Sequence, residues 1–327
     1  MTMIKKSAWR RMALLSLTLA ALAPAALAQS YPARAIRMIV PYAVGGPTDV
    51  LARVIAQKLG EGLGQTVFVE NRPGAGAIAG TDAVAKAAPD GYTIGFAAIG
   101  PLAVAPSLFA KIPYDPLKDF EPLMLVARSY SMLAVHPSVP ANTLQELVSL
   151  IRANPDKYSY ASGGLGTTQH LSGELFASVA GLKMLHVPYK GEGAAQVDLL
   201  GGQVNMMFTS PIVAMNNIRQ GKLRGIAVTS PRRLPIAPEI PAIAEAFPGF
   251  DVQAWFAMIA PAGTPAPIVR RLNEGMQAIL NSPEVLARLE GLSAIPAGGP
   301  PSELMTLMRS EIPKWRDVIR SANIKPE

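Results

Sequence analysis

The 327-residue chain contains no cysteine. That excludes a disulfide framework, a thiolate metal site, a catalytic thiol and a lipid anchor attached through cysteine. There are only three histidines, His136, His170 and His186, in different segments. No H-E-x-x-H metalloprotease motif and no G-x-S-x-G nucleophile elbow occur. After the first thirty residues no apolar run is long enough to cross a membrane. Internal repeats and low-complexity tracts are also missing. The lysines and arginines are scattered rather than clustered, which argues against nucleic acid as a partner.

What is present begins with a leader. Lys5, Lys6, Arg10 and Arg11 form a basic region, Met12 to Ala25 is apolar, and Ala26-Leu27-Ala28 has the small residues of a cleavage site. The pattern predicts a secretory signal peptide over residues 1–28, hence a periplasmic protein. An uncleaved anchor is the alternative, disfavoured by the shortness of the apolar run. Arg10-Arg11 is a twin-arginine pair whose flanks fit that export signal poorly. The formal net charge of +7 includes the four basic side chains of the leader, so the basic character is partly a targeting feature. The mild excess that remains suits an anionic ligand.

From Ala35 onward, β-branched runs alternate with amphipathic helical stretches, predicting an α/β fold. Strands are expected at Ile36 to Val40, Val67 to Glu70 and Tyr92 to Ala97, with a helix at Asp49 to Leu63. This βαβαβ rhythm implies a mostly parallel sheet. It starts afresh after Phe120, with strands at Tyr158 to Ala161, Met184 to Val187, Val204 to Phe208 and Leu223 to Thr229. The last third has helices but few strands, so it is expected to complete the first sheet. The predicted organisation is lobe 1 over residues 29–127 and 252–327, and lobe 2 over 128–251. Two chain crossings, near Arg128 and near Asp251, would leave a hinged cleft between two α/β lobes.

Two glycine turns carry the functional signal. In Val40-Pro41-Tyr42-Ala43-Val44-Gly45-Gly46-Pro47-Thr48-Asp49 a buried strand ends, glycines turn, and Thr48 or Asp49 caps a helix. Tyr160-Ala161-Ser162-Gly163-Gly164-Leu165-Gly166-Thr167-Thr168 repeats the design, with Thr167 or Thr168 as the cap. Such turns aim backbone amides and the positive end of a helix dipole at one point, which suits a carboxylate or phosphate. Neither has the lysine of a P-loop nor the spacing of a dinucleotide fingerprint. Asp49 could accept a ligand ammonium, bridge a water, or only cap its helix. Lys190 could pair with a ligand carboxylate or be a solvated turn residue. His170 and Glu174, four apart, could supply two metal ligands, but a local hydrogen bond on the helix surface is the simpler reading. Trp255 and Phe256 read as core or hinge packing. No metal or cofactor is called for.

These motifs resemble a known family. Pro41 to Asp49, Asn71-Arg72-Pro73-Gly74-Ala75-Gly76 and Asp90-Gly91-Tyr92-Thr93 look like its first-lobe signatures. Tyr160 to Thr167, His170-Leu171, Glu174-Leu175-Phe176, His186 to Gly191 and Ala260 to Pro265 look like the rest. The family is the Bug, or TctC-like, extracytoplasmic solute receptors of tripartite tricarboxylate transporters. The resemblance implies a type II periplasmic binding-protein fold, no enzymatic activity, and closure on a small carboxylate for a membrane permease. Carried over, it assigns Tyr42, Gly45, Gly46, Thr48 and Asp49 in the first turn and Ser162, Gly164, Gly166, Thr167 and Thr168 in the second. Ala98 and Gly100, after the third strand, and Tyr189 and Lys190 would shape the distal end.

The chain departs from the family where Ala97-Ala98-Ile99-Gly100-Pro101-Leu102 replaces a loop that often carries serine or threonine. It also has Asn205 and Thr209 where aspartate is frequent. An apolar distal wall would favour an aromatic or aliphatic acid over an amino acid or citrate, because methyl groups cannot satisfy a second buried charge. A monomer is expected. The alternatives are an exported esterase-like hydrolase, drawn from Ser162 and His170, and a subunit that presents a bound ligand to a signalling partner.

Overall fold

In the computed structural model, residues 31–45, 47–189 and 191–324 are described. The leader, Gly46 and Lys190 lie outside them. Eleven strands form two sheets among the described residues. The first takes β1 (Ile36–Val40), β2 (Val67–Asn71), β3 (Thr93–Ala98), β4 (Phe120–Tyr130), β10 (Gln253–Pro261) and β11 (Ala294–Pro296), in the order β11-β4-β10-β3-β1-β2. The second takes β5 (Met132–Val135), β6 (Ser159–Ser162), β7 (Leu185–Pro188), β8 (Met206–Thr209) and β9 (Arg224–Val228), in the order β7-β6-β8-β5-β9.

The expectation of a mostly parallel first sheet is corrected. β1 pairs parallel with β2 and β3, as the βαβαβ rhythm required. The late strand β10 then inserts antiparallel between β3 and β4, and β11 adds antiparallel to β4. The last third does complete the first sheet, but by a returning strand whose direction no local pattern encodes. In the second sheet β6 is parallel to β7 and β8, while β5 is antiparallel to β8 and β9.

The chain passes between the sheets at Ser131, directly after β4, and again between β9 and β10. The two crossings are tied together. Ser131 N–H donates to Thr229 Oγ1 at 2.9 Å, Thr229 N–H donates to Ser131 O at 2.9 Å, and Val252 N–H donates to Thr229 O at 3.1 Å.

Helix α1 (Pro47–Leu63) lays Leu51, Ile55 and Leu59 on the first sheet, with none of the three exposed. Each such side chain stabilises the fold by about 1.5–3 kcal/mol. Helix α2 (Ile78–Ala85) covers the opposite face, and α3 (Ala105–Leu108) is a short helix after β3. Around the second sheet lie α4 (Leu144–Ala153), α5 (Thr168–Ala180), α6 (Glu192–Leu200) and α7 (Pro211–Arg219). Helices α8 (Ala266–Ile279), α9 (Pro283–Gly291) and α10 (Pro301–Ser321) return to the first lobe. α10 packs on β4 and also on α5, so its apolar face, with Leu304, Met308 and Trp315, joins a core shared by both lobes.

One close approach fixes α5. A Cβ at Gly173 would sit 2.2–2.7 Å from the ring of Tyr160 on β6, so only glycine lets the helix rest on that ring. Gly173→Ala is therefore expected to destabilise by about 1–3 kcal/mol, the usual range for overpacking. Urea unfolding measures it, and an unchanged midpoint would contradict this packing.

Candidate functional site: two glycine turns

The first turn leaves β1 through Pro41 and Tyr42. Gly45 has φ +84°, a left-handed conformation costly for residues with a Cβ. Its N–H donates to Asp49 Oδ2 at 2.8 Å. Asp49 is 1 % exposed and also accepts from Asn71 Nδ2 at 2.8 Å and Arg53 Nε at 3.1 Å, with Arg53 Nη2 3.0 Å from Oδ1. Burial pushes its carboxyl up. The hydrogen bonds from Arg53, Gly45 and Asn71 outweigh that and hold it below the usual range. Helix α1 begins at Pro47, so neither Thr48 nor Asp49 is the N-cap; both lie in the first turn. The reading of Asp49 as the cap is corrected: its carboxylate joins the turn, α1 and β2.

Tyr42 reaches the loop after β3. Burial pushes its phenol pKa up, with the Ala98 backbone pulling the other way. The Cβ position of Gly100 is 4.0 Å from the Tyr42 hydroxyl. Beyond Ala98 the chain forms a π-helical turn over Gly100–Val104, with Pro101, Leu102, Ala103 and Val104 buried. Tyr114 donates to Pro101 O at 2.8 Å and pins the turn. Most of the loop's apolar side chains therefore pack the core, and any wall it offers is Ala98 and Gly100. The large side chains face the core, and only Ala98 and Gly100 of this loop remain half-buried.

The second turn is built alike. Ser162, fully buried, shares its hydroxyl between Gly164 N–H at 3.1 Å, Gly164 O at 3.1 Å and His186 Nε2 at 2.7 Å. Thr167 is the N-cap of α5, accepting from His170 N–H, and its hydroxyl donates to Gly164 O at 2.7 Å. Gly166, at φ +72°, donates its N–H to His170 Nδ1 at 3.0 Å. Thr168 is half-buried at the first helical position. Tyr189 N–H donates to Ser162 O at 3.0 Å, and Gly191 N–H to Gly163 O at 3.1 Å. The Tyr189 hydroxyl donates to Asp198 Oδ2 at 2.6 Å, a bond that pushes its pKa up to about 12.

Thus Gly45, Gly164 and Gly166 do not offer free amides, as the sequence suggested. Their N–H groups are taken up inside each turn and shape it. What each turn presents is the start of a helix, where amides at Thr48 and Asp49, and at Thr168 and Gln169, have no intrahelical acceptor. Those amides and the dipole end suit an anion. The two turns border one strip of structure. Tyr42 touches the loop at Gly100, that loop leads into α3, and a Cβ at Gly166 would be 2.7 Å from Leu108 Cδ2 of α3.

Sequence reasoning missed the side chains beneath the second turn. His170 is 2 % exposed, not on the helix surface. It stacks on His186, with ring centroids 3.9 Å apart and planes at 9°, and His186 stacks in turn on Tyr160 at 4.8 Å. Glu174 accepts from the Tyr160 hydroxyl, while His170 Nε2 stands 3.7 Å from it. Ser162 therefore pairs with His186, not with His170 as the hydrolase drawing had it. Only their neighbouring strands unite them, and spacing carries no signal of that. Asn205 is likewise structural, its Oδ1 accepting from Ser159 N–H at 2.8 Å. Trp255 is fully buried, and Phe256 stacks on Phe96 at 6.2 Å, so both pack the first lobe. Among the described residues no cluster of three potential metal ligands occurs.

A family model described as the tripartite tricarboxylate transporter family receptor, TctC, matches residues 51–324. The chain belongs to that family. It is a receptor family, not an enzyme family. The TctC chain is similar to the periplasmic binding protein BugD, with 37% identity over 91% of this chain and all of that one, at a TM-score of 0.73. It is similar to R. palustris Rpa4515, solved with adipate, at 36% identity over 91% of this chain and 100% of that one, TM-score 0.76. MatC from Rhodopseudomonas palustris, solved with bound malate, is 35% identical over 88% of this chain and 100% of that one, TM-score 0.72. The TctC fold is that of two-lobed periplasmic solute-binding proteins.

Proposed function

We propose that this receptor is exported by its leader, works as a monomer, and captures one small carboxylate between its lobes for the permease subunits of a tripartite tricarboxylate transporter. One observation carries the reading: two glycine-shaped helix starts, one per sheet, border the same loop and short helix after β3. An acid held at Thr48–Asp49 on one side would be met at Thr168–Gln169 on the other. Closure follows if the ligand makes extra contacts in the closed form, since equal affinity for both forms shifts nothing. Charge-assisted bonds to amides are roughly twice as strong as neutral ones, so the carboxylate end dominates affinity. The lobes would exchange at Ser131, three residues beyond the 127/128 boundary expected from the sequence, and just before β10, with the hinge at the Ser131–Thr229 tie. Tyr42, Ala98, Gly100, Tyr189 and Lys190 surround the body of the ligand.

Adipate and malate in similar proteins support an aliphatic acid. So does the wall formed by the Ala98 methyl and Gly100, which offers no side-chain donor to a distal group. Native mass spectrometry of the chain purified from the periplasm is the test. A small carboxylic acid should be retained in the native spectrum and lost on denaturation. A chain that carries no acid, and gives no heat with adipate, malate or benzoate, would overturn the reading.

A further inference from the structure

The stacked histidines lie under the second turn. His170 Nδ1 is the acceptor that fixes Gly166 N–H, and Gly166 is the residue by which this turn approaches Leu108 in the other lobe. An Nδ1 that accepts carries no proton, so the ring is the neutral Nε2–H tautomer, with Nε2 toward Glu174. We propose that His170 is a positioning residue for carboxylate capture: its neutral imidazole holds Gly166 in the capture shape, and protonation of the ring releases the turn. The inference rests on the function proposed above and adds a dependence on pH to it.

The chemistry follows from the donor count. A protonated imidazole donates from both nitrogens and cannot accept the Gly166 amide. Two N–H groups would then face each other at 3.0 Å in a site 2 % exposed. The titratable groups facing the ring are Glu174 from its own helix, Tyr160 from β6 and His186 from β7. None of them relieves that clash. Glu174 already accepts from Tyr160, and burial pushes its carboxyl up. His186, stacked on the ring, adds repulsion once charged. Burial, then the His186 ring, lowers the His170 pKa to about 3, and burial lowers that of His186 to about 4. A released turn that lets water reach the ring takes up a proton more readily than the held turn does. The released state binds more protons, so acid favours release, by at most about tenfold per pH unit.

His170→Asn sets an amide oxygen near the place of Nδ1 and cannot titrate; His170→Leu keeps bulk without an acceptor. The full chain and both variants would be titrated with adipate by calorimetry at pH 7.5 and pH 5, and the protection factor of the Gly166 amide measured by NMR. Adipate itself takes up protons in this range, so the readout is the affinity of the wild type relative to His170→Asn. That ratio should fall on acidification, by at most about tenfold per pH unit. Gly166 protection should fall in the wild type at pH 5, stay in His170→Asn, and be low in His170→Leu at both pH values. A ratio that does not move, together with equal Gly166 protection at both pH values, would overturn the proposal. Should adipate fail to bind at any pH, the protection factors still decide the role of His170, and the function proposed above is what fails. Should His170→Leu not fold, the comparison of wild type with His170→Asn decides.

Discussion

Gly166→Val is expected to lower affinity for the captured acid by about a hundredfold or more while leaving the receptor folded. Two costs combine. The native φ of +72° is a left-handed conformation that a β-branched residue enters at a cost of about 1–2 kcal/mol or more. The new Cβ would meet Leu108 Cδ2 at 2.7 Å, an overpacking of about 1–3 kcal/mol. Leu108 lies on α3 and Gly166 in the second turn, so the clash falls where the two turns border one another. Capture as proposed needs this turn shape and this approach, and a penalty near 3 kcal/mol on them is roughly two decades of affinity. Calorimetry reads the affinity and circular dichroism the fold. Adding Leu108→Ala should restore the part due to the clash and leave the part due to the backbone. Undiminished binding by Gly166→Val would remove the second turn from the site.

Asp49→Ala should act on both stability and capture. The carboxylate collects the Gly45 amide, the Asn71 amide and the Arg53 guanidinium at a position 1 % exposed. Arg53 is half-exposed and rehydrates, whereas the Gly45 N–H loses its acceptor in the turn. Gly45 is exposed and its N–H can rehydrate too, so the loss is that of the hydrogen bonds to a charged group, and roughly 2 kcal/mol is expected in urea. The folded-state pKa of Asp49 lies below its unfolded value. Its contribution is therefore full above the unfolded pKa and is lost as pH falls through the lowered one. Affinity for adipate, which has no ammonium group, should fall as well, because the first turn loses its shape. A variant equally stable, and weakened only toward amino acids, would return Asp49 to the role of ligand acceptor.

Much of this was legible in the sequence, for reasons that are local. A strand, a glycine pair and a threonine before a helix leave few backbone conformations, so both turns, the Thr167 cap and the parallel β1, β2 and β3 could be read directly. The two-sheet division followed from the restart of the rhythm after Phe120. The antiparallel β10 was not legible, because strand direction is set by a partner more than a hundred residues away. Pro101 and Leu102 were read as part of a distal wall because no periodicity distinguishes a π-helical turn that buries them from an exposed loop. The nine-residue helices α7 and α9 are too short to give a clear apolar period. The glycine amides were misassigned for a subtler reason. Sequence shows that an amide can point outward, but not that Asp49, Ser162 or His170 has reached it first.

The central claim is that both helix starts hold the same acid. NMR titration of the full receptor with adipate, or with the acid recovered from native mass spectrometry, tests it most directly. The account predicts that the amides of Thr48 and Asp49 and those of Thr168 and Gln169 shift together, along one saturation curve. An acid that binds while shifting only one pair, or shifts the two pairs with different affinities, would contradict it.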